Sequence, residues 1–306
     1  GTHANRDRED IFSQEDRVQG LLPDSGPASV TSWIYGLAPG DWSVTAELLA
    51  PDRRARNRRV RPARWSWRHW AVTADAPSPV KTRWAPIAPL ARVPAIVPGI
   101  WPVLGAIAIV SALLVQRVML PHENVSTDVP VAASLLALFV GLIGAKVWYA
   151  VLHPGPWRTA LLGGWAVDGF LLVASIVVVA SLVVLSLPVA AVLDAITPGL
   201  FLAVAIGRIG CFLAGCCAGR VTDSRFGVWS SDRRVGARRV PVQLLESGVG
   251  LAIASVATVV ILAHVPRIDG VIFVGALAVY IGARQSLLRL RAERRDFLWR
   301  RSTAVA

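Results

Sequence analysis

Six separate stretches of this chain are apolar enough, and close to long enough or longer, to cross a lipid bilayer. A helix needs about 20 apolar residues to span the ~30 Å hydrocarbon layer. The mean hydropathy of +0.52 and a charged fraction of only 17% exclude an ordinary soluble globule. The sequence therefore predicts an all-α, multi-pass membrane helix bundle of about six transmembrane helices, which are residues 98–119, 129–152, 163–187, 189–213, 240–263 and 270–288.

The boundary between the third and fourth stretches rests on one proline. Residues 161–212 carry few charges, so Pro188 and the small residues near it are the evidence for a turn. A single long helix with a re-entrant piece is the alternative that this pattern leaves open.

The first 92 residues are of another kind. Residues 1–27 are polar and mixed in charge, which predicts a poorly ordered start, and the absence of an initiator Met is compatible with a fragment. Alternating patterns then predict a small β-rich extramembrane module over residues 28–92, with strands within 29–35, 42–48 and 65–73. The Arg-rich segment 52–64 would be a loop of this module, solvated or at the membrane surface, and binding of acidic lipid or nucleic acid is the alternative.

The basic residues cluster beside the predicted spans. The net charge is +12, with basic blocks at 53–68, 220–239 and 284–301, whereas the connection 121–128 carries only acidic charge apart from one His. Because Lys and Arg near spans favour the cytoplasm, the charge pattern places both termini and the loop 220–239 inside. A transmembrane domain at 98–290 followed by a basic tail at 291–306 completes the predicted organisation, and no nucleic-acid partner is expected.

The segment 205–220 is the densest in unusual residues. Arg208 lies within the fourth predicted span, and an arginine at the centre of a spanning helix costs about 2.5–3.5 kcal/mol on insertion scales. Residues 207–219 hold four glycines and all three cysteines. A phosphate or a carboxylate is the expected partner of such a guanidinium, and a plain salt bridge to Asp194 or Asp168 is the alternative without chemistry. Cys216 and Cys217 are adjacent and no Cys-x-x-Cys pair is present, so we expect packing thiols rather than a metal site; a disulfide or a lipidated thiol stays open.

Four elements in order carry a resemblance. They are Gly207-Arg208-Ile-Gly210-Cys211-Phe212 with Gly215, Gly219 and Arg220; Asp194 followed by Pro198; Arg239-Val-Pro241-Val-Gln243-Leu244-Leu-Glu246; and Gly144-Ala145-Lys146-Val-Trp148-Tyr149. Over about residues 98–295 the chain resembles the bacterial prolipoprotein diacylglyceryl transferases. Lys146 stands where that family has Arg, Cys211 and Cys216 where it has Asn and Glu, and Asp168 where it has a His after a Gly-Gly pair.

The resemblance implies a bacterial inner-membrane enzyme that moves a diacylglyceryl group from phosphatidylglycerol, or another anionic phospholipid, to the lipobox cysteine of a secreted lipoprotein precursor. It implies a monomer with no cofactor and no metal. Arg208 and Arg239 would neutralise the leaving phosphate, and Asp168 would accept the thiol proton, with Glu246 or His153 as alternatives. Asp194 would orient the site, and the phospholipid would contact Gly207, Gly210, Cys211, Gly219, Gln243, Glu246, Lys146 and Tyr149.

Two questions stay open at this point. The resemblance places the loop after Arg208 outside the cytoplasm, against the charge pattern. A non-catalytic membrane protein that binds anionic phospholipid and recruits a partner through the N-terminal module is the alternative function.

Overall fold

The computed structural model describes residues 96, 97, 99–153 and 164–292, together with short pieces of the first 82 residues. Six helices in it are long and apolar enough to cross a membrane, which confirms the predicted count. They are α1 Ile100–Met119, α2 Asp128–Leu152, α3 Val167–Val184, α4 Val189–Ala214, α5 Val242–Leu262 and α6 Val271–Leu288, and a 3₁₀ turn at Leu120–Glu123 follows α1.

A short turn separates α3 from α4. The amide of Leu187 donates to the carbonyl of Leu182, and Ser186 has a φ of 52°. Pro188 then offers its carbonyl to Val192 as α4 begins. Because proline lacks the N–H that an interior helical residue donates, the turn falls where the sequence predicted it, and the single long helix is excluded.

The chain divides into two compact units, the first formed by residues 105–207 and 246–285. The larger of two apolar core clusters among its described residues consists of Met119, Leu120, Val125, Ala133, Leu182, Ala191, Val192, Ala195 and Ile261. Half of the most apolar stretch of α4 is buried, the largest share among the six helices. Gly199 of α4 faces α1 closely, since a Cβ there would lie 2.5 Å from the carbonyl oxygen of Ala112.

A buried carboxylate caps α6 within this unit. Asp194 is 0% exposed, and its two oxygens accept hydrogen bonds from the backbone amides of Gly270 at 2.8 Å and Phe273 at 2.9 Å. Arg267, which also pairs with Glu123, brings its Nε to 3.7 Å from the same carboxylate. Asp194 therefore satisfies free amides at the start of α6 and joins that start to α4.

The second unit comprises residues 1–104, 208–245 and 286–306. It contains a hairpin of β10 Val228–Ser231 and β11 Val235–Arg239, and the short strand β3 Ser29–Val30 pairs antiparallel with β11. The chain after α6 lies against the start of this loop, since the amide of Arg220 donates to Leu290 and that of Ala292 to Ala218. Val97 also donates to Leu213, so the start of α1 and the ends of α4 and α6 meet at one face.

Other short strands occur before α1. They are β1 Thr2–Asn5, β2 Arg8–Ile11, β4 Gly40–Ser43, β5 Ala46–Leu48, β6 Arg58–Val60, β7 Trp65–Ser66, β8 Ala71–Val72 and β9 Val80–Thr82. Most residues that connect them lie outside the described part of the chain, as do 154–163 and 293–306. The β-rich module, its Arg-rich loop and the poorly ordered start at 1–27 therefore stay predictions, although β1 and β2 fall within that start.

Candidate active site

The helix that carries Arg208 ends in a Schellman motif. The amide of Cys216 donates to the carbonyl of Cys211 at 3.0 Å, and that of Gly215 to Phe212 at 3.3 Å. Gly215 has a φ of +67°, and a Cβ there would meet Ile96 and the backbone oxygen of Ser231 below 3.0 Å. A glycine is therefore required at this position, and it turns the chain sharply out of α4 two residues before Cys217.

Three thiols and two guanidiniums gather at this turn. Cys211, Cys216 and Cys217 are free, half-buried and within hydrogen-bonding reach of one another. Hydrogen bonds from the other two thiols lower the pKa of Cys217 below its ordinary value, and the charges of Arg291 and Arg208 lower it further. The pKa of Cys216 is raised, because hydrogen bonds with the Cys211 and Cys217 side chains favour its thiol form and because it is partly buried. Negative charge is thus stabilised at Cys217, where the two guanidiniums act together.

Arg239 is committed to the loop itself. Arg239 is 3% exposed. Its guanidinium donates to the carbonyl of Gly219 at 3.0 Å, to the carbonyl of Val235 at 3.1 Å and to Asp232 Oδ2 at 2.7 Å. A Cβ at Gly219 would lie 2.0 Å from the carbonyl oxygen of Val240, so only glycine lets the two chain segments approach. These contacts hold β11 against the segment after α4, and they use Arg239 Nη1 and Nη2 on protein oxygens.

The first turns of α5 present buried polar groups. Gln243, 2% exposed, donates through Nε2 to the carbonyl of Cys216 at 2.9 Å, which ties α5 to the thiol turn. Glu246 stands one turn further along and is 1% exposed. Ser247 donates to the carbonyl of Ala205 at 2.8 Å. Buried polar side chains are retained when they are hydrogen-bonded, so Gln243 and Ser247 position α5 rather than face solvent.

A second group of predicted residues lies on α2 and α3. Lys146 donates to the carbonyl of Gly164 at 3.3 Å and its ammonium lies 4.4 Å from the ring centre of Trp165. Tyr149 stacks on His153 with ring centres 4.3 Å apart. Asp168 is exposed in the first turn of α3, where a carboxylate suits the helix dipole.

The predicted site residues thus fall into two sets. Arg208, Gly210, Cys211, Gly219, Arg239 and Gln243 belong to the unit with the β10–β11 hairpin, whereas Lys146, Tyr149, Asp168, Asp194, Gly207 and Glu246 belong to the other. The described ion pair of Asp194 is with Arg267. Among the described residues, no group of three or more His, Cys, Asp or Glu side chains could hold a metal ion.

One residue of the site was not singled out from the sequence. Arg291 was assigned to a basic tail, but it bridges to Gly219 in a short antiparallel contact and acts on Cys217. A single arginine among the many between 284 and 301 carries no signal of its own. Only the backbone pairing of residues 218–220 with 290–292 reveals it.

Comparisons with known proteins find relatives that share one description. The phosphatidylglycerol–prolipoprotein diacylglyceryl transferase 2 of Clostridium perfringens is 33% identical over 106 residues, which is 31% of this chain and 40% of the relative. The phosphatidylglycerol–prolipoprotein diacylglyceryl transferase of Dehalococcoides mccartyi is 28% identical over 207 residues, which is 62% of this chain and 75% of the relative. That from Clostridium tetani is 28% identical over 129 residues, 40% of this chain and 52% of the relative.

The chain thus spans between 40% and 75% of the length of these relatives. A family model described as prolipoprotein diacylglyceryl transferase matches residues 95–304, which include all six helices, the thiol turn and the hairpin. Because that match covers more than half of the chain, this protein belongs to the prolipoprotein diacylglyceryl transferase family.

Proposed function

We propose that this membrane protein transfers a diacylglyceryl group from phosphatidylglycerol to the cysteine thiol of a lipoprotein precursor in the bacterial inner membrane. The sulfur would attack the terminal glyceryl carbon of the diacylglyceryl group. The bond from that carbon to the phosphate oxygen breaks, glycerol phosphate leaves, and a thioether forms. The named relatives are phosphatidylglycerol–prolipoprotein transferases, and none of them favours the non-catalytic alternative.

The family match over residues 95–304 carries this proposal, and the charges of Arg208 and Arg291, which both lower the pKa of Cys217, support it. Both guanidiniums stabilise negative charge at one point beside the end of α4. A carbon attached to a phosphate ester becomes a good electrophile when the charge that develops on the leaving phosphate is neutralised. Guanidiniums suit this task because their planar fork can bind two phosphate oxygens at once.

The phosphate clamp in this proposal is therefore Arg208 with Arg291, and Arg239 supports it. Arg239 donates to three oxygen atoms of its own loop, including the carbonyl of Gly219, the residue that bridges to Arg291. Its contribution is to hold the segment 218–220 in place. Cys211 lines the same turn, and Gly207 has open space within 4 Å of its Cβ position, which leaves room for a lipid to approach α4.

The acceptor thiol also needs a base, since the thiolate is the nucleophile. Asp168 remains our candidate, being an exposed carboxylate in the first turn of α3. Replacing Asp168 by Asn keeps the shape and removes the basicity. A drop of about 100-fold or more in turnover with unchanged retention of phospholipid supports this role, whereas full turnover assigns the proton to another group.

The function is tested with purified protein in nanodiscs that contain phosphatidylglycerol and a peptide with one lipobox cysteine. We expect the peptide to gain the mass of one diacylglyceryl group. A folded protein that produces no such gain with phosphatidylglycerol, phosphatidylserine or cardiolipin would overturn the proposal.

Three conservative variants locate the clamp. Arg208→Lys and Arg291→Lys keep the charge but lose the fork, so we expect turnover to fall about 10- to 100-fold in each. Arg225→Lys is the matched control, because Arg225 is an exposed arginine whose guanidinium lies 4.8 Å from the ring centre of Phe226. Equal losses in all three variants would contradict a clamp built by Arg208 and Arg291.

A further inference from the structure

The thiol turn contains chemistry that the transfer reaction does not use. Phosphate neutralisation needs the guanidiniums and the acceptor brings its own sulfur, yet three free cysteines of this chain lie within hydrogen-bonding reach of one another at the end of α4. All three are half-buried, so a small reagent can reach them without unfolding the protein.

Backbone geometry limits which thiols can join. Cys216 and Cys217 are adjacent, and neighbouring Cα atoms across a trans peptide are about 3.8 Å apart, below the usual range of about 4.4–6.8 Å for a disulfide. The chain has no cis peptide among the described residues. Any unstrained pair must therefore include Cys211.

The Schellman motif brings Cys211 back toward the two later thiols. In this motif the side chains at the positions of Cys211 and Cys216 commonly touch. Here the Cys216 thiol lies 3.6 Å from the carbonyl oxygen of Cys211 and is directed to the backbone. Cys217, which follows with a φ of 54°, presents its sulfur to the Cys211 thiol and to the charges of Arg208 and Arg291.

We propose that Cys211 and Cys217 are an oxidisable dithiol, with Cys217 the thiol that meets the oxidant and Cys211 the one that resolves it into a reversible disulfide. This modification site stands independently of the transferase activity. It rests on the contact of the three thiols at the turn and on the two arginines beside Cys217.

The chemistry balances with a peroxide as oxidant. The Cys217 thiolate attacks one peroxide oxygen, the O–O bond breaks, and a sulfenic acid forms with release of one water after proton uptake. The Cys211 sulfur then attacks the Cys217 sulfur, the S–O bond breaks, and a second water leaves. Two thiols are oxidised by two electrons, one peroxide is reduced to two waters, and a dithiol reductant reverses the step. The two guanidiniums favour the first step because they stabilise the thiolate, which is the reactive form.

The test counts free thiols in the full-length protein in detergent. The protein is treated with stoichiometric hydrogen peroxide, labelled with N-ethylmaleimide and digested with trypsin. Cleavage after Arg208 and Arg220 releases residues 209–220, which contain all three cysteines. We expect labelled cysteines in this peptide to fall from three to one, with the remaining label on Cys216, and to return to three after dithiothreitol.

Serine variants assign the pair. Cys216→Ser should keep the disulfide and lose all labelling on oxidation. Cys217→Ser should keep two labelled cysteines, whereas Cys211→Ser should keep one, on Cys216, because its Cys217 stops at the sulfenic acid, which the maleimide does not label. Three labels after peroxide in the wild-type protein, a disulfide that persists in Cys217→Ser, or irreversible sulfinic acid on Cys217 with Cys211 still labelled would each overturn the proposal. Cys216→Ser keeps the test decisive if either of the other two variants fails to fold, because in it only Cys211 and Cys217 remain to pair.

Discussion

At the scale of the residue, the four glycines between 207 and 219 differ in why they are there. At Gly219 a side chain would collide with backbone, since its Cβ would lie 2.0 Å from the carbonyl oxygen of Val240. At Gly207 a Cβ would meet nothing within 4 Å. Both were assigned to phospholipid contact from sequence, but the first is explained by the approach of two loop segments.

Gly219→Ala should therefore destabilise the protein and Gly207→Ala should not. Forcing a methyl group into a closed contact costs about 1–3 kcal/mol, whereas alanine in place of glycine within a helix gains about 0.5–1 kcal/mol. Thermal unfolding in detergent measures the change in melting temperature of each variant. If Gly207→Ala keeps its melting temperature but loses retained phosphatidylglycerol, the space beside Gly207 holds lipid. A melting temperature for Gly219→Ala equal to that of the wild type would contradict the close approach.

Three arginines of the candidate site differ in how much of their role the sequence predicts. Arg208 is identifiable from the sequence because a charge within an apolar stretch of spanning length is rare. Arg239 was identified by its motif, yet its partners Asp232, Gly219 and Val235 could not be read from spacing because they depend on the fold of the hairpin. Arg291 becomes distinct from its neighbours only through backbone pairing with Gly219.

At the scale of the element, Asp194 determines how α6 begins. Its carboxylate is 0% exposed and accepts from two amides of the α6 start, so it replaces the water that those amides would otherwise bind. The sequence suggests Asp194 or Asp168 as the partner of Arg208 in a plain salt bridge, because these are the charges of one long apolar stretch. The ends of a 26-residue helix are far apart, however, and Asp194 meets Arg267 at its own end.

We expect Asp194→Ala to lower the free energy of unfolding by about 3–5 kcal/mol, because it leaves two helix-start amides without a buried acceptor and removes one of the two carboxylates that pair with Arg267. Asp128→Ala is the matched control. The Asp128 side chain is 84% exposed and its pair with Arg117 spans 3.5 Å at the surface, so its removal should change stability by less than about 1 kcal/mol. Chemical unfolding followed by tryptophan fluorescence measures the free energy of unfolding of both variants. Equal losses would show that the hydrogen bonds of Asp194 to the start of α6 do not stabilise the protein.

The helices themselves were predictable because apolar length is a strong signal, and all six appear with ends within a few residues of the expected ones. The hairpin β10–β11 was not predicted. It lies in an Arg-rich loop, and four of its five β11 residues, including Arg239, are buried, so the polar and apolar alternation of an exposed strand is absent.

At the scale of the whole molecule, the start of α1, the loop 218–240 and the end of α6 share one face through backbone hydrogen bonds. The arginines of that loop and those that follow α6 to residue 292 therefore lie on the same side of the membrane. Charge alone would place this face in the cytoplasm. The proposed reaction places it outside, where a secreted precursor meets the membrane.

An arginine that binds a phosphate or a protein oxygen is retained for that contact. Such arginines should therefore predict the orientation of the chain in the membrane less well than solvated arginines do. Arg239 and Arg233 donate to carbonyl oxygens of the protein, and in the proposed function Arg208 and Arg291 bind the phosphate. We therefore expect the loop to face the outside despite its charge. Phe226, 73% exposed at the loop tip, and Ser126, exposed between α1 and α2, are suitable reporters when replaced by cysteine in a background without Cys211, Cys216 and Cys217.

A membrane-impermeant maleimide applied to intact bacteria should label Phe226→Cys, and should label Ser126→Cys only after the inner membrane is permeabilised. The outer membrane, where present, is made permeable beforehand so that access to the inner membrane is equal for both variants. The reverse pattern would follow if ordinary charge asymmetry oriented the chain, and it would place Arg208 and Arg291 where no secreted precursor arrives. Such a result would contradict the proposed acceptor while leaving the phospholipid clamp intact, because nanodisc assays give the lipid access to both faces.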